Sequence, residues 1–349
     1  MNATTVRSAL PPPPTNAIAA ALRVPKVSTE WLAGDGSDRC YYRVLAGEER
    51  HPYVLMQLSG SDAEALRING YDWVTLSVVL QSYQIVTPRL HATIPEYAAL
   101  IIEDYGNDML ETIIQEKLSA GDLMGTSALY EQAAAMIARM LCIPKNEDSI
   151  WCKRSFDSER FHWELDFFMK QFAHPVGRIS LSHEEEKKLK NEFEDISKFL
   201  GSFSSYFVHR DYHSRNIMVR GKDLAMIDFQ DARLGPPSYD LVSLVFDSYV
   251  GFSKQQRTKL MEDCMNFIAQ TASEKTIREI EVSWRPMLLQ RQLKALGSFG
   301  FLTLVKNRGN YLRYVAPALE TLSHDLVYDE RWPFLSGVLL DRLRQSSQS

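Results

Sequence analysis

Apolar residues fall first into short alternating runs and later into helical spacing. Val27 to Leu58 holds two β-favouring runs, Tyr41 to Leu45 and Tyr53 to Leu58, separated by the polar Gly47-Glu48-Glu49-Arg50, which predicts a hairpin. Asp62 to Gln81 has the three- and four-residue spacing of a helix, and Leu100 to Glu103 is a short apolar strand stopping at Asp104-Tyr105-Gly106. A strand that ends in such a polar turn suits a hinge between two lobes. From Met109 to about Cys142 the spacing is helical again, with Leu110, Ile113, Ile114 and Leu118 along one face. Further helices are expected over Glu159 to Phe172, Glu184 to Leu200, Arg257 to Ala272 and Pro286 to Leu304. Between them Ile217 to Val219 and Leu224 to Ile227, joined by Arg220-Gly221-Lys222-Asp223, predict a tight hairpin. No internal repeat is visible. The expected plan is α+β: a flexible Pro-rich lead-in over 1–25, a strand-rich unit over 26–103 and a helical unit over 104–349.

Composition narrows the classes. With 349 residues the chain exceeds the usual ceiling for one hydrophobic core, and 45% hydrophobic with 24% charged residues is ordinary for a globular protein. The 39 basic and 44 acidic residues give a net charge of -5, without the basic excess that gripping a phosphate backbone requires, so no nucleic-acid partner is expected. Cys40, Cys142, Cys152 and Cys264 stand far apart and form no metal-spaced cluster, which reads as reduced thiols. Met1 to Leu10 lacks the basic-then-apolar pattern of a signal peptide, and no apolar run approaches the roughly 18 to 20 residues that span a bilayer. A cytoplasmic protein without a membrane partner is the expectation.

The chemistry concentrates in His209-Arg210-Asp211-Tyr212-His213-Ser214-Arg215-Asn216, followed by Ile227-Asp228-Phe229-Gln230. This is the kinase catalytic-loop pattern H-R-D-x-x-x-x-N, then an aspartate at the end of a short hairpin. Phosphoryl transfer needs a positioned acceptor hydroxyl and neutralised phosphate charge more than it needs covalent chemistry. Asp211 is the candidate catalytic base; Asn216 and Asp228 supply hard oxygens for Mg²⁺. His209 is expected to brace the loop, and Asp240 to accept hydrogen bonds from its backbone. A lone H-R-D triplet can occur by chance; the triplet with its Asn, its hairpin and IDF together is far harder to obtain by accident.

The chain departs from protein kinases. His213 replaces the catalytic-loop lysine, DFQ replaces DFG, and the short span from Asp228 to Tyr239-Asp240-Leu241 leaves no room for an activation loop. No protein substrate is expected. HRDYHSRN together with IDFQDA-x-x-GPPSYDLVSL resembles the aminoglycoside phosphotransferase-like superfamily, most closely its cell-wall sugar kinases that act on N-acetylmuramate and N-acetylglucosamine at the anomeric hydroxyl. SDRCYYRV, YVLMQ, LIIEDYG, FDSERFHWELDFF and LLQRQLKALGSFGFL extend the resemblance over most of the chain. It implies a protein-kinase-like bilobal fold, with a small antiparallel-sheet N-lobe and a larger, mainly helical C-lobe. It further implies ATP with Mg²⁺ as cofactors, an N-acetyl amino sugar as acceptor and a role in peptidoglycan recycling.

The resemblance also makes Gly34, Gly36 and Ser37 part of a phosphate-covering loop, although Gly34-Asp35-Gly36-Ser37-Asp38 reads equally well as a plain turn. It makes Glu103 to Tyr105 the hinge that meets adenine through its backbone. Tyr53-Val54-Leu55-Met56-Gln57 carries no phosphate-pairing lysine; Arg43 on the preceding strand is a candidate replacement, or a solvated strand residue. Glu164 and Arg291 are polar within otherwise apolar helical surfaces, which fits sugar contacts or a core salt bridge equally well. Trp163, Phe167 and Phe299 read as core. Two rivals stand beside the sugar kinase: a kinase of another hydroxyl acceptor, such as an aminoglycoside, choline or another sugar, and a nucleotide-binding pseudokinase.

Overall fold

A computed structural model describes residues 10–34, 39–307, 309–326 and 328–346. It divides into two units: residues up to Asp108 with Met218–Gln230, and Met109–Ile217 with Asp231 onward.

The first unit opens with helix α1 (Thr15–Leu22) and five strands, β1 (Val27–Gly34), β2 (Cys40–Ala46), β3 (His51–Gln57), β4 (Leu90–Ile94) and β5 (Ala99–Glu103). Their order is β1-β2-β3-β5-β4, and each neighbouring pair is antiparallel. Residues two apart on a strand share a face, so Cys40, Tyr42, Val44 and Ala46 are all buried along β2. Cys40, Tyr42 and Val44 join Leu55, Ile94, Ala99 and Ile101 in one apolar layer, and Ile18 of α1 packs into it. Residues 15–22, counted with the flexible lead-in from the sequence, are therefore ordered: the alanine-rich TNAIAAAL favours a helix, and the Tyr42 hydroxyl donates to the Leu10 carbonyl at 2.6 Å.

The expected helix Asp62 to Gln81 is two helices, α2 (Gly60–Arg67) and α3 (Asp72–Ser82). Asn69 between them takes a left-handed φ of 56°, which ends α2. Trp73 of α3 stacks on Phe229 with ring centroids 5.2 Å apart, which fastens the residue after Asp228.

In the second unit the stretch 109–142 is likewise divided, into α4 (Leu110–Ser119) and α5 (Leu123–Leu141), at Gly121 with φ 73°. Then come α6 (Ser158–Phe168), a π turn over Met169–Ala173, α7 (His183–Gly201) and β6 (Tyr206–Val208). Strands β7 (Ile217–Arg220) and β8 (Asp223–Met226) form the expected hairpin. The sequence placed it in the helical unit, whereas its hydrogen bonds run to the first: Val219 N–H donates to Asp108 O at 2.8 Å and Met226 N–H to Val86 O at 2.9 Å. Strand β9 (Arg233–Gly235) pairs antiparallel with β6, and helices α8 (Tyr239–Val245), α9 (Lys254–Ile268), α10 (Glu274–Leu304), α11 (Val315–His324) and α12 (Leu340–Ser346) complete the unit. Among the described residues no helix is long and apolar enough to cross a membrane.

Helix α10 starts at Glu274 rather than at Pro286. Ser273 caps it by accepting from Thr276 N–H at 3.1 Å, and Pro286 is carried in its interior. Its position is set by close approach to α6 and the π turn: a Cβ on Gly300 would stand 2.0 Å from Gln171 O, and one on Gly297 would stand 2.9 Å from Phe168 Cα. Gly300→Ala therefore has to push α10 off the π turn, and we expect it to lower stability by about 1–3 kcal/mol, read as a lower urea midpoint with an unchanged slope.

Candidate active site

The H-R-D segment leaves β6 in a conformation few residues adopt. Arg210 has φ 86°, and the strain is held by the buried Asp240 on α8, whose carboxylate accepts from His209 N–H at 2.7 Å and Arg210 N–H at 3.1 Å. Asp240 thus has the expected role. Burial pushes its carboxyl up to about 6 against the pull of His209 and of the two N–H groups. His209 closes the turn by accepting Asp211 N–H at 3.3 Å, and Asn216 Nδ2 donates to Asp211 O at 2.9 Å.

Arg215, which the sequence did not single out, locks the far end of this loop. Its Nε and Nη2 grip the Glu111 carboxylate of α4 at 2.6 and 2.9 Å, while its guanidinium lies 3.8 Å from the Tyr249 ring centroid. Asp247 adds a second brace by accepting from Ser214 N–H at 2.9 Å and from the Ser214 hydroxyl.

The Asp211 side chain meets two cations from α10. Lys294 Nζ is 3.1 Å from Oδ1 and Arg291 Nη2 is 3.4 Å from the same oxygen. Burial alone would raise the Asp211 carboxyl; Lys294, Arg210 and Arg291 outweigh it and hold the group well below the ordinary carboxylate range. Burial draws the His213 imidazole down to about 3 despite Asp211, with Arg291 and Lys294 adding to the fall, so it is neutral at physiological pH. The loop position that holds lysine in protein kinases is thus uncharged here, and the cation on the carboxylate comes from Lys294, three residues after Arg291 on α10. A lysine at that spacing from Arg291 in LLQRQLKALG was the available signal.

Asp211, His213, Ser243, Asp247, Arg291 and Lys294 are among the residues that line a cavity of the second unit, floored in part by Phe299 and Tyr249. The structure therefore brings Arg291 to Asp211. Glu164 is not among the lining residues: it is 1% exposed, accepts from Gln290 Nε2 at 2.8 Å and lies 3.7 Å from Arg160, which is the salt-bridging alternative. Trp163, expected in the core, is exposed, with Arg160 stacked 4.5 Å from its ring; Phe167 is half-buried beside it. Phe299 is buried as expected, yet contributes to the cavity wall.

In the first unit Asp228 also holds a left-handed φ, 62°, and its Oδ1 accepts from Gln230 Nε2 at 2.7 Å and Arg39 Nη1 at 3.3 Å. Arg43 is committed elsewhere. Its Nε donates to Asp104 Oδ2 at 2.6 Å, and its Nη2 to Gly106 O at 3.2 Å and Asn107 Oδ1 at 2.8 Å, so it splints the turn after β5 instead of replacing the strand lysine. Arg220 of the hairpin fastens the same segment: it pairs with Glu103 at 2.8 Å and lies 4.0 Å from the Tyr105 ring. Gly34 is the last residue of β1, while Gly36 and Ser37 lie outside the described residues.

Magnesium carried by nucleotide phosphates takes one or two protein oxygens, and the Asp228 carboxylate and the Asn216 amide oxygen are each donors of that kind; among the described residues no cluster of three or more His, Cys, Asp or Glu side chains could hold a metal by itself.

The sequence profile of the phosphotransferase enzyme family matches residues 30–263, well over half of the chain. The chain belongs to the phosphotransferase enzyme family. Among its relatives, an N-acetylmuramate/N-acetylglucosamine kinase of Pseudomonas putida is 26% identical over 297 residues, covering 83% of this chain and 80% of that one. One of the same name from Caulobacter vibrioides is 24% identical, covering 64% and 68%. A Plasmodium vivax ethanolamine kinase superposes with a TM-score of 0.57 at 12% identity, covering 84% of this chain and 81% of that one. Its likeness gives this phosphotransferase the protein-kinase-like α+β fold.

Two substitutions probe the carboxylate and its cation. Asp211→Asn keeps shape and removes the carboxylate charge; we expect kcat to fall roughly 10²- to 10⁴-fold in a steady-state assay, with nucleotide affinity retained. Lys294→Met leaves Asp211 with Arg291 alone at Oδ1, and kcat/KM should fall about 10- to 100-fold in a protein that melts as the wild type does.

Proposed function

We propose that this phosphotransferase is an ATP- and Mg²⁺-dependent kinase that phosphorylates the anomeric hydroxyl of N-acetylmuramate or N-acetylglucosamine. The observation that carries the reading is the cavity with Asp211 in its wall: a carboxylate for the acceptor hydroxyl sits beside donors and acceptors suited to a polyhydroxyl ring. The cavity itself measures about 70 Å³ and opens to solvent. The named relatives, similar over most of both chains, support the acceptor class.

In this reading the second unit receives the sugar and the first the nucleotide. Asp211 accepts a hydrogen bond from the acceptor hydroxyl, fixes its lone pair for attack, and takes the proton as the new P–O bond forms and the bond from the γ-phosphorus to the bridging oxygen breaks, releasing ADP. Because Lys294 and Arg291 favour its ionised form, it is available as an acceptor across the neutral range. Neutral His213 lines the same cavity, and its buried Nδ1 has no hydrogen-bond partner among the described residues. When bound, magnesium would neutralise charge on the nucleotide phosphates, with Asp228 and Asn216 as its protein donors. Glu103 to Tyr105, with Asp104 held by Arg43, is the candidate adenine-facing segment.

An aminoglycoside acceptor is disfavoured by charge. Such polycations need an acidic pocket, and here both acids in the lining are already engaged, Asp211 by two cations and Asp247 by Ser214, while Arg291 and Lys294 would repel an ammonium group.

The test is phosphorus NMR of the purified protein with ATP, Mg²⁺ and, in turn, N-acetylmuramate, N-acetylglucosamine, choline and kanamycin. A sugar 1-phosphate resonance from the first two alone is the expected result. Phosphorylation of choline or kanamycin instead would replace the acceptor, and no transfer to any of the four would remove the sugar-kinase reading.

A further inference from the structure

Phosphoryl transfer needs a fixed cation at the nucleotide phosphates, and kinases of this fold place it on the third strand. Here β3 carries Met56 at that place, buried and 3.9 Å from the Tyr71 hydroxyl. Arg43 is occupied by Asp104 and Asn107.

We propose that Arg39, just before β2, is the cation that pairs with the nucleotide phosphates, and that Asp62 of α2 is the residue that aims it. Strand register gives the location. Tyr41 is the cross-strand partner of Met56, and cross-strand partners share a face. Arg39 precedes Tyr41 by two residues and so leaves the chain on that same face, diagonal to Met56. Its side chain is almost wholly buried, at 9% exposure, and its Nε and Nη2 both reach Asp62 Oδ2, at 3.0 and 2.9 Å. Its Nη1 reaches Asp228 Oδ1 at 3.3 Å.

A strand cation clamped by a helix carboxylate and touching the hairpin aspartate has the charge arrangement the reaction requires, built from different positions. Asp228 and Asp62 remain 40% and 34% exposed, so a ligand can approach this edge. Charge balance then selects the ligand. If Asp228 turns an oxygen to a dication, Arg39 Nη1 loses that oxygen and gains a positive neighbour; phosphate oxygens arriving with the metal restore its partner. The site is therefore suited to a metal–polyphosphate pair and poorly suited to the bare metal.

This inference rests on the nucleotide reading of the first unit, and the experiment separates the two. Dissociation constants for Mg-ADP and for adenosine are measured by calorimetry on the full chain, as wild type, Arg39→Lys, Arg39→Met and Asp62→Asn. The expected result is an Mg-ADP affinity about 10- to 100-fold weaker in Arg39→Met, a smaller loss in the other two, and adenosine affinity unchanged in all. Unchanged Mg-ADP affinity in Arg39→Met overturns the assignment. Equal losses for adenosine and Mg-ADP overturn it too, since they mark a structural role; Arg39→Lys, which keeps the charge, guards against a misfolded variant being mistaken for that result. A wild type that binds neither ligand sinks the nucleotide reading and this inference with it.

Discussion

A recessed carboxylate held against two cations governs the second unit. Removing Asp211 from water is costly, and Lys294 and Arg291 offset that cost only if they arrive within about 3.5 Å of one oxygen. Both stand on α10, so the separation between that helix and the loop must be fixed to a fraction of an ångström. Gly297 and Gly300 fix one side of α10 by letting the α6 backbone and the π turn come into contact with it. Asp240, Glu111 and Asp247 fix the loop on the other side through its own N–H groups and Arg215. The packing of large helices and the charge state of one side chain are thus a single problem.

What the sequence disclosed follows from which interactions are local. H-R-D, the Asn five residues on and the aspartate after a hairpin are joined by short backbone paths, so their spacing is legible; Asp240, 31 positions from His209, was legible because it stands in the GPPSYDLVSL segment that carries the resemblance. Lys294 and Asp211 are 83 positions apart and meet only through the docking of α10. Nothing in a helical apolar pattern says that Lys294 faces a carboxylate rather than water. Arg43 and Arg39 make the same point a few residues apart: both are arginines at or beside β2, and only the loop after β5 and helix α2 decide which guanidinium reaches Asp228. Helix existence was read correctly over 62–81 and 109–142, but the interruptions were not, because Asn69 and Gly121 act through a left-handed φ that apolar spacing does not register. Strands β1 and β4 were missed, and the docking of α1 could not be seen without the apolar face of the sheet that receives Ile18.

The lysines that mark protein kinases are absent at their usual places, on β3 and in the catalytic loop, yet the chain is not short of charge. In the loop the exchange is visible in full: His213 is neutral where lysine would stand, and Lys294 delivers an ammonium to the same carboxylate from a distant helix. Electrostatic stabilisation depends on where a charge sits and how firmly it is held, not on which element carries it. An ammonium mounted on a packed helix is held more firmly than one on a loop, and it brings Arg291 with it on the same face. The cost is that the two cations compete: burial and Arg291 both lower the Lys294 ammonium below its ordinary range, and the Asp211 carboxylate opposes them. The Lys294 ammonium and the Asp211 carboxylate therefore support each other's ionised forms, while Arg291, charged throughout, favours the carboxylate and opposes the ammonium, so loop, helix and charge act as one electrostatic unit.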